Sequence, residues 1–255
     1  MILTMDVGNT TIQGGLFEDN DNILVFRKST AQSLSSDEIG LFLRDVINLN
    51  GFDYKKIEKI ACCSVVPSLN HAIANSFVKY FGIEGLFVQS GIKTGSKLRY
   101  ANPKEIGPDR IAAGVGASFL KPKQDLIIID MGTATTIDVV TKENEYLGGA
   151  ILPGIKTSVT ALASGTAKLP PVEIIKPQKA CGSSTVEAIQ SGVYYGQTGS
   201  IKEIINLYNK QIFKNKKPYV MGTGGFARLL ESENIFDEIV PELVHIGLKR
   251  ILELN

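Results

Sequence analysis

Two short segments of this sequence carry the same arrangement of polar residues at the end of a largely apolar run. Asp6-Val7-Gly8-Asn9-Thr10 follows residues 1–5, and Asp130-Met131-Gly132-Thr133 follows residues 126–129. Each segment offers one carboxylate, a glycine whose backbone a ligand can approach closely, and side-chain hydroxyl or amide donors. Backbone N–H groups beside a carboxylate suit a polyphosphate that carries a metal ion. The pair predicts a nucleotide-dependent phosphotransferase, with two related lobes that present matching loops to one ligand.

Asp6 has a structural interpretation as well as a functional one. It could bind the Mg²⁺ that accompanies ATP, or act as a turn residue that accepts a hydrogen bond from the backbone of Gly8 or Asn9. Thr11 and Thr136 are likewise β-branched residues suited to starting a strand. The second copy of the motif, at Asp130, favours ligand binding for both aspartates.

A third candidate for chemistry is Gly107-Pro108-Asp109-Arg110, which stands just before the apolar residues 111–113. Proline at the first helical position and aspartate in the first turn both favour a helix start. The helix N-terminus also favours the ionised form of Asp109, which could then accept a hydroxyl proton during phosphoryl transfer. Arg110 could pair with a substrate carboxylate or phosphate, or with a neighbouring acidic side chain.

Two glycine-rich segments have different interpretations. Gly222-Thr223-Gly224-Gly225 follows the predicted strand 219–221, and either opens a slot for a base or ribose or forms a tight turn with positive φ. The run 114–119 begins like a dinucleotide fingerprint, but it lacks the last glycine and follows a helical pattern instead of a strand. It predicts close packing between helices.

Composition excludes several classes of function. The net charge is +1, with 21% charged residues, so the chain lacks the concentrated basic face of a nucleic-acid groove. No apolar run approaches the roughly 20 residues of a membrane span. The sequence contains two histidines and no Walker-type phosphate loop, which argues against a multi-histidine metal site, a histidine triad or a P-loop enzyme. Its three cysteines include an adjacent pair, which suits a reducing compartment, and we expect a cytoplasmic protein without a nucleic-acid or membrane partner.

Apolar periodicity predicts an α/β protein in which the same series of elements occurs twice. The predicted strands are 2–7, 12–17, 23–27, 57–66, 86–88, 126–130, 136–141, 146–152 and 219–221. The predicted helices are 39–49 after a cap near Ser35, 68–81, 109–119, 154–163, 184–198, 199–213, one beginning near Phe226, and 240–254. The stretch 90–108 is rich in turn residues.

The predicted domain boundary passes through Lys121-Pro122-Lys123. It divides the chain into a lobe 1–119, with the first phosphate loop and the Asp109 turn, and a lobe 120–255, with the second loop and the 222–225 segment. In an alternative that stays open, the helix 240–254 packs back on the first lobe.

These motifs together resemble the type III pantothenate kinases, and the resemblance runs from the first strand to the C-terminal helix. The matching segments are Asp6-Val7-Gly8-Asn9-Thr10, Gly107-Pro108-Asp109-Arg110, 130–136, 148–154, 185–192, Thr223-Gly224-Gly225 and 241–248. Each segment alone is moderately specific, since Asp-x-Gly loops occur throughout the actin, hexokinase and chaperone-ATPase superfamily. Their common order and spacing make the set specific.

The resemblance implies a duplicated ribonuclease-H-like (actin-like ATPase) fold, with a nucleotide cleft between two lobes, that works as a homodimer. It implies transfer of the γ-phosphoryl of ATP, bound with Mg²⁺, to pantothenate in the first step of coenzyme A biosynthesis. Asp109 becomes the proton acceptor. The residues implied to line ATP are Asp6, Val7, Gly8, Asn9, Thr10, Thr11, Ile12, Gln13 and Thr133. Those implied to form the pantothenate pocket are Tyr100, Gly107, Pro108, Asp109, Arg110 and Thr185.

Some alternatives stay open at this point. The resemblance assigns Asp130 to a monovalent cation, K⁺ or NH₄⁺, whereas the residues alone pair it with Asp6 as a magnesium ligand. Thr185 lies in Ser184-Thr185-Val186-Glu187, which also fits a helix capping box with Ser184 as the cap. Tyr100 could equally be a packing residue. The competing functions are a nucleotide-binding regulatory relative without kinase activity, and a kinase of another small hydroxylated substrate.

Overall fold

A computed structural model describes residues 1–31, 33–89 and 91–255 of the chain. It divides into two compact units, the first formed by 1–120 together with 242–255 and the second by 121–241. Ser90, at the start of the turn-rich stretch, lies outside the described residues. In the described ranges, no helix is long and apolar enough to cross a membrane.

The strands, in chain order, are β1 (Ile2–Val7), β2 (Thr11–Glu18), β3 (Asp21–Ser29), β4 (Lys59–Ser64), β5 (Leu86–Phe87), β6 (Lys97–Leu98), β7 (Leu126–Met131), β8 (Ala134–Val140), β9 (Glu145–Pro153), β10 (Tyr219–Thr223) and β11 (Glu238–Ile239). The α-helices are α1 (Ser36–Leu49), α2 (Pro67–Phe81), α3 (Pro108–Leu120), α4 (Ile155–Gly165), α5 (Thr185–Gln211) and α6 (Leu243–Glu253). Shorter 3₁₀ helices span Tyr54–Lys56, Pro103–Glu105 and Ala227–Glu233.

The sheet of the first unit has the strand order β3-β2-β1-β4-β5. β1, β2 and β3 form the predicted antiparallel meander, and β4 and β5 add in parallel. Because side chains alternate between the faces of a strand, Leu3, Met5 and Val7 of β1 pack in the core against α1 and α2. Thr4 and Asp6 therefore point to the other face, where His245 of α6 contacts Thr4.

Helices α3 and α6 approach so closely that two glycines are required at their contact. A β-carbon at Gly247 would collide with the carbonyl of Ala112, and one at Gly116 with the carbonyl of Leu243. This confirms that the small residues near 114–119 serve helix packing. It also explains why 242–255, which the sequence-based division assigned to the second lobe, packs within the first unit: the contact joins residues that are distant in sequence.

The second unit repeats the arrangement of the first. Its strands run in the order β11-β10-β7-β8-β9, with β7, β8 and β9 antiparallel and β10 and β11 added in parallel. Ile127, Ile129 and Met131 of β7 pack in the core with Ile155 of α4 and Ile201 of α5. Asp130 therefore lies on the face opposite this core, as Asp6 does in the first unit.

Several predicted elements differ from the observed ones. The helices predicted at 184–198 and 199–213 are one continuous helix, α5, because the buried residues Tyr194, Thr198 and Ile201 continue one helix face past Gly199. The helix expected near Phe226 is the 3₁₀ helix Ala227–Glu233. The strand predicted at 57–66 is shortened to β4, because a 3₁₀ turn precedes it and Pro67 opens α2. The two-residue strands β6 and β11 were not predicted.

Candidate functional site

The loop between β1 and β2 is held in place by the end of β3. The N–H of Gly8 donates to the carbonyl of Thr11 at 3.0 Å, so the turn satisfies this donor without the carboxylate of Asp6. Thr30 fixes the loop from outside, since its hydroxyl donates to the carbonyl of Gly8 at 2.7 Å and its N–H to that of Thr10 at 3.0 Å. The Asn9 side chain is exposed at the tip of the loop.

Residues on either side of this loop differ in what they can offer a ligand. The side chains of Val7 and Ile12 are buried in the core, and the carbonyl of Val7 already accepts from the N–H of Val65 at 3.0 Å. Thr11 and Gln13 are half-buried, and Gln13 pairs directly with Asp6 across the β1–β2 ladder, so both lie on the same face of the sheet.

Asp6 lies beside a buried thiol and near a second acidic group. The Sγ of Cys63, in β4, donates to Oδ1 of Asp6 at 3.3 Å. Burial of the carboxyl and the negative charge of Asp109 raise the pKa of Asp6 to about 7, although the thiol hydrogen bond acts in the opposite direction. Burial also raises the pKa of Cys63 well above its usual range, so the thiol is protonated and can donate. Two carboxyl groups that repel each other in this way form a place where a cation is stabilised.

Asp109 stands in the first turn of α3, as the sequence predicts, with Pro108 at the first helical position. The N–H of Ile111 donates to the carbonyl of Gly107 at 3.1 Å, which closes the first turn. A β-carbon at Gly107 would collide with Oδ1 of Asp109, so glycine leaves room for this carboxylate. Oδ1 also accepts from the N–H of Arg110 at 2.9 Å, and the side chain of Arg110 is buried.

The loop between β7 and β8 corresponds to the first loop but is shorter by one residue, since it consists of Gly132 and Thr133 alone. The N–H of Gly132 donates to the carbonyl of Ala134 at 3.0 Å. The carbonyl of Thr133 accepts from the hydroxyl of Thr157 at 2.6 Å and from the N–H of Gly154 at 3.2 Å. These bonds fix the loop and leave the side chain of Thr133 exposed.

Asp130 contacts the glycine-rich segment that follows β10. Thr223 pairs with Asp130 across the parallel β7–β10 ladder. A β-carbon at Gly224 would collide with Oδ1 of Asp130 and with the backbone of Met131, and Gly224 has a φ of +85°. Glycine is therefore required here both for backbone conformation and for space. The second loop and the 222–225 segment meet at Asp130.

The other predicted substrate residues lie in different places. Tyr100 is half-buried in the first unit, after β6. Thr185 is the exposed first residue of α5 in the second unit. The hydroxyl of Ser184 accepts from the N–H of Glu187 at 3.3 Å, which confirms the predicted cap. The Glu187 carboxylate accepts the reciprocal bond from the N–H of Ser183 at 2.7 Å instead of from that of Ser184.

The donors in these loops suit hard cations. In the described part of the chain, no group of three or more His, Cys, Asp or Glu side chains could enclose a metal ion. Mg²⁺ is commonly held by one or two carboxylates together with substrate phosphates and water, and the Asp6 carboxylate suits that requirement. The oxygens around Asp130 are equally compatible with a monovalent cation.

Comparison with known proteins shows the family of this chain. The family model described as type III pantothenate kinase matches residues 2–207. The type III pantothenate kinase of Legionella pneumophila (strain Corby) is 45% identical over 255 residues, which cover 100% of this chain and 99% of the relative. The chain belongs to the type III pantothenate kinase family.

Solved structures share the fold of this kinase family member at low sequence identity. A conserved putative Baf family transcriptional activator from Campylobacter jejuni has a TM-score of 0.62 at 22% identity, covering 98% of this chain and 97% of that one. A putative 2-dehydro-3-deoxygalactonokinase from Sinorhizobium meliloti has a TM-score of 0.59 at 10% identity, covering 98% of both chains. The duplicated, actin-like α/β fold predicted from the sequence is confirmed.

Residues that support the candidate site were missing from the sequence-based prediction. Cys63, Thr30 and Thr157 all contact the two loops or Asp6, yet each lies in a segment without a recognisable motif. Gly154 belongs to a motif that the resemblance named, and the structure gives it a role: a β-carbon there would collide with the carbonyls of Gly132 and Thr133.

Proposed function

We propose that this protein phosphorylates pantothenate with ATP to give 4′-phosphopantothenate, the first step of coenzyme A biosynthesis. One observation carries the proposal beyond family membership: the Asp109 carboxylate stands at the N-terminus of α3 and acts electrostatically on Asp6. An acceptor for a hydroxyl proton is thereby held near a carboxylate suited to the metal ion of a nucleotide.

In the proposed reaction, Asp109 accepts the proton of the primary hydroxyl of pantothenate as that oxygen bonds to the γ-phosphorus. The bond from the γ-phosphorus to the bridging oxygen breaks, and ADP leaves. Phosphoryl transfer depends mainly on positioning and charge stabilisation, so a carboxylate in a helix first turn is a sufficient base. Residues 6–13 and Thr133 line the phosphates, with backbone N–H groups and hydroxyls as donors.

The proposed reaction uses two cations. Asp6 would hold Mg²⁺ through a carboxylate oxygen, and the ion would neutralise phosphate charge. Asp130 would hold K⁺ or NH₄⁺ where the 222–225 segment meets the second loop.

Tyr100, Gly107, Pro108, Asp109, Arg110 and Thr185 form the proposed pantothenate pocket. The guanidinium of Arg110 is suited to the carboxylate of pantothenate, because Arg–carboxylate pairs are strong and directional.

The direct test is ATP-dependent phosphorylation of pantothenate by purified protein with Mg²⁺, compared in K⁺, NH₄⁺ and Na⁺ buffers. We expect 4′-phosphopantothenate in K⁺ or NH₄⁺ and a strong reduction in Na⁺, measured by mass spectrometry of the product. Folded protein that binds ATP but forms no product in any buffer would contradict the proposal. A panel of other small hydroxylated acceptors then separates a different kinase from a nucleotide-binding protein without turnover.

We further propose a homodimer that forms through the exposed face of α5. Gly192, Gly196 and Gly199 recur on this face, and a β-carbon at each would meet no atom of the described residues within 4 Å. Glycine inside a helix costs roughly 1 kcal/mol relative to alanine, and contacts within the chain do not explain that cost here. Close approach of a helix from a second copy would explain it. Val186 and Tyr195 are also exposed on this helix.

Replacing Gly196 with leucine is therefore expected to shift the protein from dimer to monomer, because the larger side chain holds the helices apart. Sedimentation velocity at micromolar concentration measures the change. Ser68→Leu, at an exposed position of α2, is the matched control and should stay dimeric. A Gly196→Leu protein that sediments as the wild type does would remove α5 from the interface.

The proposed compartment is the cytoplasm, without a nucleic-acid or membrane partner. The net charge of +1 supports the absence of a nucleic-acid partner. The three cysteines, Cys62, Cys63 and Cys181, are free thiols, which supports a reducing compartment.

A further inference from the structure

The adjacent cysteines of β4 point to opposite faces of the first sheet. Parallel pairing of β1 with β4 places Cys62 beside Met5 and Cys63 beside Asp6. Cys62 therefore lies in the core with Leu69 of α2, whereas Cys63 points to the face that carries Asp6. Both side chains are fully buried, with 0% exposure. The two thiols have the same burial and different surroundings.

We propose that Cys63 is a positioning residue, whose thiol holds the Asp6 carboxylate by donating to Oδ1 and leaves Oδ2 for the Mg²⁺ of the nucleotide. This inference rests on the proposed use of Mg·ATP, and does not depend on which hydroxyl accepts the phosphoryl group. Cys63 itself is fully buried behind Asp6, so it acts through that residue.

The chemistry of a thiol suits this position. Asp6 already experiences the negative charge of Asp109. A lysine or arginine in place of Cys63 would neutralise the carboxylate and compete with a metal ion for it, whereas a neutral donor orients the carboxylate and preserves its charge. A thiol is a weak donor that also packs as a small apolar group, so it fits inside a sheet without water.

Alternation along β4 supplies a matched control for this proposal. Cys62→Ala removes a buried thiol of the same size from the next position, but it leaves a cavity in the core and does not alter a contact to Asp6. Cys63→Ala and Cys63→Val both remove the donor, and the second keeps most of the volume. Cys63→Ser keeps a hydroxyl donor at the same place.

The test is isothermal titration of each protein with the non-hydrolysable nucleotide AMP-PNP, with and without Mg²⁺, followed by the Mg²⁺ dependence of turnover. We expect Cys63→Ala and Cys63→Val to bind Mg·AMP-PNP about tenfold more weakly, since a hydrogen bond to a charged group is lost. Binding of AMP-PNP without Mg²⁺ should change less. Cys63→Ser should stay within about threefold of the wild type. Cys62→Ala should lower the melting temperature without changing nucleotide affinity.

Different outcomes separate this inference from the proposed function. Cys63→Ala and Cys63→Val proteins that bind Mg·AMP-PNP as the wild type does would overturn the positioning role. So would a Cys62→Ala protein that loses the same affinity, or a Cys63→Ser protein that is as weak as Cys63→Ala. If Cys63→Ala does not fold, the Val and Ser variants decide between the same outcomes. Since the titration contains no pantothenate, a wild type that binds Mg·AMP-PNP but does not phosphorylate pantothenate refutes the proposed function alone.

Discussion

Replacing Asp109 with asparagine is expected to lower kcat for pantothenate phosphorylation by roughly 10²–10⁴-fold, the range typical of a lost general base. Asparagine keeps the Oδ1 that accepts from the N–H of Arg110 at 2.9 Å, so the start of α3 should persist. The change also removes the negative charge that raises the pKa of Asp6, so Asp6 becomes more fully ionised as a magnesium ligand, and this offsets the lost attraction between Asp109 and the cation. The KM for Mg·ATP should therefore stay within about threefold of the wild type. Steady-state kinetics in K⁺ buffer measures both parameters.

Glu105→Gln is the matched control for this experiment. Glu105 is an exposed acid in the 3₁₀ helix just before Gly107, and its Oε1 accepts from the amide of Asn102 at 2.8 Å, a bond that glutamine can keep. The Glu105→Gln change removes one negative charge from the same stretch and does not alter a contact to Asp6. We expect unchanged kcat. An Asp109→Asn enzyme with turnover within a factor of three of the wild type would exclude Asp109 as the base.

The sequence predicted the loops of the site better than their supports. Asp-x-Gly at the end of an apolar run is a local pattern, because the strand, the turn and the carboxylate are within a few residues of each other. Strand alternation then places Asp6 and Asp130 away from the two cores. Cys63 has no such local signal. Its contact with Asp6 depends on the register between β1 and β4, and periodicity alone cannot supply that register.

The same dependence on contacts between distant residues explains which features of the helices could be predicted. Start signals are local: the helix start that the sequence indicates near Ser35 is confirmed, and the structure adds that Ser35 and Glu38 form a capping box at α1. The position of α6 depends on backbone contacts between Gly247 and Ala112, which are far apart in sequence, so local patterns alone could not decide whether this helix packs on the first lobe or the second. At α5, the sequence-based prediction places a helix boundary between residues 198 and 199. The buried face formed by Tyr194, Thr198 and Ile201 outweighs the low helix propensity of Gly199.

His245 connects α6 to the centre of the first sheet by a buried polar contact. Its Nδ1 lies 2.9 Å from the hydroxyl oxygen of Thr4, and that hydroxyl donates to the carbonyl of Gly15 at 3.1 Å. When the Thr4 hydroxyl donates to Gly15, the contact with His245 requires Nδ1–H as the donor, which corresponds to the neutral Nδ1–H tautomer. The side chain is 2% exposed, and burial, followed by the charge of Arg27, lowers its pKa to about 4.

This shift makes the free energy of unfolding depend on pH. His245 becomes protonated below about pH 6.5 in the unfolded chain, whereas in the folded protein it stays neutral until about pH 4. The contribution of His245 to stability is therefore complete above pH 6.5 and is lost as the pH falls towards 4. At about 1.4 kcal/mol per pKa unit, the loss amounts to about 3 kcal/mol.

Asp6 contributes with the opposite sign, so the wild-type profile alone does not isolate His245. The pKa of Asp6 is raised to about 7, and the contribution of Asp6 to the free energy of unfolding therefore increases as the pH falls from 7 towards 4.

Comparison of the wild type with His245→Asn cancels the contribution of Asp6, which both proteins share. Asparagine keeps a donor near the position of Nδ1 and has no titratable group. Urea unfolding of both proteins from pH 8 to pH 4.5 should show the wild-type advantage shrinking by about 2 to 3 kcal/mol. His71→Asn, at the exposed second histidine, should follow the wild type. An advantage that stays constant over this range would mean that His245 is protonated in the folded protein near pH 6, in conflict with its buried contact to Thr4.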